Sequence, residues 1–193
     1  MTAVIPAIRY DMGRDVLTAQ MMASRLDPFV YETETYSFMP NNLPKLTIGG
    51  LLMRLNRLSR LGNLLSEDQL DKLDTARQQA DRVKRAWLVA YTNKVIHELN
   101  LHVTEWCEFL KECEQDQNEC HEMYPSVVEK RVMAQTLTNE ARKLDVLTPK
   151  VDKQLLEIDS RMEGYFSPGR FIWDPRLQQA YPHNPYAFLY VST

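Results

Sequence analysis

Between Leu70 and Asn118 the chain contains neither proline nor glycine. Apolar residues recur there at three- and four-residue spacing: Leu70, Leu73, Ala76, Ala80, Val83, Trp87, Ala90 or Tyr91, Val95, Leu99, Val103, Trp106, Leu110 and Cys113. Such a run predicts one amphipathic helix about 70 Å long at 1.5 Å per residue, several times the usual globular helix. Its start is marked by Ser66 and Gln69, which form a capping box, and by Leu65 and Leu70 at the hydrophobic-staple positions.

A helix of that length needs a partner for its apolar stripe. The polar stretch Glu114 to Tyr124 ends at Pro125, and Ser126 with Glu129 reads as a second capping box, so a turn and a return helix are expected. On the return, Leu137, Ala141, Leu144, Thr148, Val151, Leu155, Ile158, Met162 and Tyr165 alternate at four and three, the spacing of a coiled-coil seam. Pro149 interrupts it, but the apolar phase continues unchanged, which favours a kink over a fresh start capped by Thr148. Two long helices with a short connection pack antiparallel.

Upstream, Thr47 and Gly62 bracket a shorter helix with Leu51, Leu55 and Leu58 on one face and Arg54, Arg57 and Arg60 on another. The expected fold is therefore all-α: a long, coiled-coil-like antiparallel hairpin, an additional basic amphipathic helix, and extended terminal arms. Residues 1–44 form the first arm, interrupted by Pro6, Pro28, Pro40 and Pro44 and holding one short helix with Val16, Ala19, Ala23 and Leu26 on one stripe. Residues 45–164 form the bundle, with helices at about 47–61, 66–118 and 126–164. Residues 165–193 form a tail with 8 of the 18 aromatics and 4 of the 10 prolines. Both arms should leave the hairpin at the end opposite its turn.

With 193 residues, 23 Lys+Arg against 26 Asp+Glu and 44% hydrophobic residues, the chain can bury a true core, and disordered or fibrous classes are excluded. A net charge of −3 argues against a dedicated nucleic-acid or anionic-membrane binder. No apolar run approaches the roughly 18 residues of a membrane span. Met1 to Tyr10 has no basic region leading into an apolar core, so no secretory signal is expected and the expected location is cytoplasmic. In a reducing compartment Cys107, Cys113 and Cys120 would be free thiols. On one continuous helix Cys113 and Cys120 lie about 10 Å apart along the axis, beyond disulfide reach.

Charge is unevenly distributed. From Glu98 to Glu122 there are eight acidic residues and one basic, Lys111, a net of −7, whereas Lys45 to Arg60 holds four basic residues and no acid. This predicts an acidic tip and a basic helix.

Three constellations could carry chemistry. Glu98, His102 and Glu105 share a helical face and invite a carboxylate metal site, but Glu-x-x-His is absent and the return helix offers no second histidine. Cys113, Cys120 and His121 cluster near the tip with spacing unlike that of structural zinc modules. The acidic tip could instead meet a basic partner. Catalytic signatures are missing: there is no Gly-x-Ser-x-Gly elbow and no phosphate loop, and His97, His102, His121 and His183 are scattered. No cofactor and no metal are expected.

The leading functional expectation is a non-enzymatic structural or adaptor subunit, homo-oligomeric or part of a larger assembly. Its expected contact residues are Phe166, Phe171, Trp173, Tyr181, Tyr186, Phe188 and Tyr190, because so aromatic a tail must pack on something. One alternative is a helical subunit of a nucleoprotein complex, with Arg54, Arg57 and Arg60 on phosphate and Arg82, Lys84 and Arg85 assisting. A second alternative is a metal-dependent enzyme using Glu98, His102 and Glu105.

Overall fold

In a computed structural model that describes residues 10–192, the chain is mostly helical. Asp11 caps α1 (Met12–Ser24) by accepting the Arg14 N–H, and a single-turn helix, α2 (Leu26–Phe29), follows. Thr47 caps α3 (Ile48–Arg60) through the Gly50 N–H, as its position in the sequence implies. The Ser66–Gln69 box opens α4 (Glu67–Ala86) with both of its reciprocal hydrogen bonds formed. Then come α5 (Leu88–Gln115), α6 (Gln117–Lys143) and α7 (Pro149–Met162). The short strands β1 (Ser167–Phe171) and β2 (Tyr190–Ser192) pair antiparallel.

The expected 70 Å helix is two helices. It breaks at Trp87, whose φ of −128° and ψ of 41° leave the helical region although neither proline nor glycine is near. The Trp87 indole donates to Asp27 Oδ1 at 2.8 Å and its ring meets Tyr31 edge-on with centroids 4.8 Å apart. Trp87 therefore leaves the stripe that the spacing assigned to it and is 43% exposed, while Tyr91 and Trp106 are buried as expected. The break lets α4 pack on α1 while α5 packs on α6.

The return also differs. Its turn is a single residue, Asp116, whose carboxylate caps α6 through the Asn118 and Glu119 N–H groups. Pro125 lies inside α6, and the Ser126 hydroxyl bonds back to the Met123 carbonyl instead of capping a helix. Glu140 opposite Tyr91, Lys130 opposite Glu105 and Cys120 opposite Cys113 show α5 and α6 running antiparallel.

The expected kink at Pro149 is a complete break. Asp145 adopts a left-handed φ of 57°, and Val146 N–H reaches Ala141 O while Asp145 N–H reaches Arg142 O, a Schellman ending to α6. Pro149 then occupies the first turn of α7, where its missing N–H is no loss. Helix α7 runs back along α5, so the C-terminal segment begins beside the acidic tip rather than opposite it. His121 Nε2 sits 2.8 Å from the Tyr165 carbonyl at that junction.

The arms are not extended away from the bundle. Val16, Ala19, Met22 and Ala23 of α1 are all below 3% exposed and belong to one continuous core with α3 to α7. Residues 1–9, the start of the first arm, lie outside the described residues. The Tyr10 amide donates to Asp174 Oδ2 at 2.9 Å, tying the two ends of the described chain together.

Candidate functional site

The polar residues singled out by the sequence fall into four settings, and most are inside the fold. On α5, Glu98 takes a place in the stripe Tyr91, Val95, Glu98, His102 and Trp106 and is 1% exposed. Its two oxygens accept the Ile48 and Gly49 N–H groups at 2.7 and 2.8 Å, so the carboxylate closes the first turn of α3 from a different helix. The close approach depends on Gly49, where a Cβ would stand 2.6 Å from Glu98 Oε1.

His102, one turn along, has Nε2 3.4 Å from Glu98 Oε1 and Nδ1 2.9 Å from Glu105 Oε2, and Lys130 of α6 binds Glu105 Oε1 at 3.1 Å. Burial opposes a charge on His102, but the two flanking carboxylates outweigh it and raise its pKa to about 9. The Glu105 carboxyl is held below its ordinary value, chiefly by His102.

Glu98, His102 and Glu105 thus come together as the sequence suggested, but as alternating charges. Both Glu98 oxygens already accept backbone N–H groups, and both ring nitrogens of His102 face carboxylates. Among the described residues no group of three or more His, Cys, Asp or Glu is arranged to hold a metal ion.

The basic helix is the second setting. Arg54 and Arg57 are 6% and 8% exposed, not on a solvated face. Both turn to Asp15 of α1, Arg57 Nε at 2.6 Å from Oδ2 and Arg54 Nε at 3.3 Å from Oδ1; the Tyr10 hydroxyl adds a 2.6 Å bond to Oδ2. Burial lowers the Arg54 pKa and the neighbouring Arg57 adds to that; burial also pushes the Tyr181 hydroxyl up to about 12, against the lowering effect of the adjacent Arg57. These two arginines hold α3 to α1 and are not free for phosphate. Arg60 alone of the three is exposed, with Arg82 and Arg85 of α4, while Lys84 is bonded to Glu140 at 2.5 Å.

The aromatic tail, third, packs on its own chain. Phe166, Tyr181 and Tyr186 are buried and Phe171, Trp173, Phe188 and Tyr190 partly so. Phe166 lies between the rings of His121 and Tyr124, at 4.8 and 4.1 Å. Tyr124 donates to Phe188 O at 2.7 Å, Trp173 Nε1 to Pro125 O at 3.2 Å, and Phe188 stacks 4.5 Å from the Arg131 guanidinium. Arg131, which periodicity passed over, also grips Asp159 of α7 with Nε and Nη2 at 2.9 and 2.6 Å.

Fourth, Cys113 and Cys120 are joined in a disulfide, contrary to the expectation of free thiols. The distance argument fails because Asp116 interrupts the helix and brings the two Cα atoms within 4.7 Å. The pair is then no zinc donor set, and His121 stacks on Phe166 instead. Cys107 remains a thiol, half-buried in a groove of about 700 Å³ between α5 and α7 that also includes Asn100, Thr104, Lys153, Leu156 and Arg161.

What the sequence did not single out is an exposed apolar edge along α5. Trp87, Leu88 and Val89 are 43%, 50% and 76% exposed, beside Tyr31 at 53%. From Tyr31 the loop follows α5: Lys94 Nζ binds Glu32 O and Glu34 O at 2.6 and 2.5 Å, and Thr35 Oγ1 meets His97 Nε2 at 3.2 Å. It then places Tyr36 and Phe38, 40% and 73% exposed, in an edge-on pair with Lys45 over the Tyr36 ring.

Among the described residues no helix is long and apolar enough to cross a membrane. Comparison with protein-family models, with curated proteins and with solved structures finds no match.

Proposed function

We propose that this chain is a non-enzymatic structural or adaptor subunit that assembles with a second copy of itself through the aromatic edge along α5. The observation that carries the reading is the exposure of Tyr31, Trp87, Leu88 and Val89 at the start of α5 together with that of Tyr36 and Phe38 in the loop that runs along α5. Aromatic rings are what interface centres are enriched in, and an apolar group of this kind is atypical of a surface that meets only water. The Trp87 indole is held by Asp27 and by the Tyr31 ring, and Tyr36 and Phe38 meet edge-on with Lys45 over Tyr36, so part of their side-chain freedom is already spent before association.

This reading moves the contact from the tail to the edge, since the tail aromatics are occupied within their own chain. The non-enzymatic part is supported by the commitments of the buried carboxylates: Glu98, Asp15 and Asp174 each hold two or more partners inside the fold. The test is a Phe38→Ser/Val89→Ser variant with unchanged helical circular dichroism. Association should be lost in that variant, and a variant that still assembles would overturn the assignment.

A further inference from the structure

The C-terminal segment is seated on α3 through Pro175–Ala180, on Tyr10 through Asp174 and on Arg131, and a further group of its contacts falls in one short stretch of α6. His121 bonds the Tyr165 carbonyl, Tyr124 bonds the Phe188 carbonyl, their rings enclose Phe166, and the Pro125 carbonyl accepts from Trp173. All of them follow directly on Cys120, whose sulfur is bonded to Cys113 of α5.

That stretch is weakly tied to the remainder of its helix. Pro125 supplies no N–H to the His121 carbonyl, so residues 117–124 form a subsegment with an incomplete backbone ladder behind it. In front of it residues 114–119 are all exposed, and the turn is fixed by the Asp116 cap, the disulfide and an exposed ion pair between Glu114 and Arg161 of α7. A helical segment bounded in this way opens as a local unit when its covalent tie is cut.

We propose that Cys113 and Cys120 are a redox-responsive pair that governs how firmly the C-terminal segment is held. Oxidised, the pair fixes the start of α6 and the tail stays seated on His121 and Tyr124. A dithiol reductant attacks one sulfur, the S–S bond breaks as a mixed disulfide forms, and the reductant's second thiol releases it. Two electrons and two protons pass to the protein, leaving two cysteine thiols and one disulfide on the reductant. The start of α6 then frays and the aromatic residues of the tail are exposed more often. Cys107, six residues before Cys113 on the same helix and so about 9 Å along its axis, takes no part.

The experiment is hydrogen exchange read by mass spectrometry on the full chain, oxidised with glutathione disulfide or reduced with dithiothreitol, with thiol alkylation counting the free cysteines. The expected result is one free thiol in the oxidised protein and three in the reduced, with exchange in residues 117–124 and 165–192 faster by about tenfold or more on reduction. Exchange in α4 should be unchanged. A Cys113→Ser/Cys120→Ser variant should show the fast exchange without reductant, and Cys107→Ser should respond like the parent. Tail exchange that stays within twofold once all three thiols are free would overturn the proposal, as would three free thiols after treatment with glutathione disulfide.

Discussion

Replacing Glu98 by glutamine tests the buried centre with almost no change of shape. In the parent, one carboxylate accepts two N–H groups of α3 at 2.7 and 2.8 Å and faces His102 Nε2 at 3.4 Å. The amide keeps one accepting oxygen but turns an NH₂ group toward the other backbone donor, and it removes the counter-charge of His102. Hydrogen bonds to a charged acceptor contribute about 1.5–3 kcal/mol each, and breaking a buried pair costs about 3–5 kcal/mol. A loss of about 3–5 kcal/mol is expected, or about 6–20 °C in Tm for a domain of this size. Urea unfolding followed by far-ultraviolet circular dichroism at pH 7 measures it.

The pH profile adds an independent readout. His102 binds its proton more tightly folded than unfolded, so its stabilising effect is full below the ordinary imidazole value of 6.5 and is lost as pH rises through about 9. Parent stability should therefore decline across that window, and Glu98→Gln should flatten the decline because one of the two carboxylates that hold the proton is gone. A loss under about 1 kcal/mol together with an unaltered alkaline limb would refute the reasoning, since neither the cap nor the charge alternation would then matter.

Three further substitutions extend the test to the packing around Glu98 and beyond it. Gly49→Ala should destabilise by about 2 kcal/mol or more, because its Cβ would stand 2.6 Å from Glu98 Oε1 and 3.0 Å from Leu137 Cδ1 in a filled interior. Gly13→Ala, where the nearest atom is 3.6 Å away on a helix, should stabilise by about 0.5–1 kcal/mol; both are read from denaturant midpoints. Asp15→Asn should cost about 3–5 kcal/mol by leaving Arg54 and Arg57 buried with no anion between them, and thermal melts should show the drop.

What was legible in the sequence was local. Thr47 and the Ser66–Gln69 box cap the helices they announce, because capping joins residues two or three apart and needs no tertiary partner. The stripes of α1 and α3 were legible for the same reason. The turn between α5 and α6 was anticipated within Glu114 to Tyr124 but not at Asp116, and the breaks at Trp87 and before Pro149 were not anticipated as breaks. Trp87 is turned out by Asp27 and Tyr31, sixty and fifty-six positions back in the sequence numbering, and Asp145 fills a left-handed position usually given to glycine. Pro125 misled in the opposite direction, since the turn had already been made at Asp116.

Periodicity also places charge at the surface by default. It therefore missed Arg54 and Arg57 as internal partners of Asp15, although Gly50, Arg54, Arg57 and Leu61 form a stripe of their own. Glu98 and His102 were recognised as sharing a face, but not that the face was the buried one of Tyr91, Val95 and Trp106. The exposed edge left no periodic trace, because three of its four rings, Tyr31, Tyr36 and Phe38, come from the loop after α2.

The central claim is that this fold associates through the edge around Trp87 and Phe38. Its most direct test is the solution mass of the full chain by light scattering coupled to size exclusion, run at low and at high salt. An apolar edge contact predicts a dimeric mass that does not change with salt and falls to that of a monomer in Phe38→Ser/Val89→Ser. A monomer at every concentration and salt, or a dimer indifferent to those two substitutions, would contradict it.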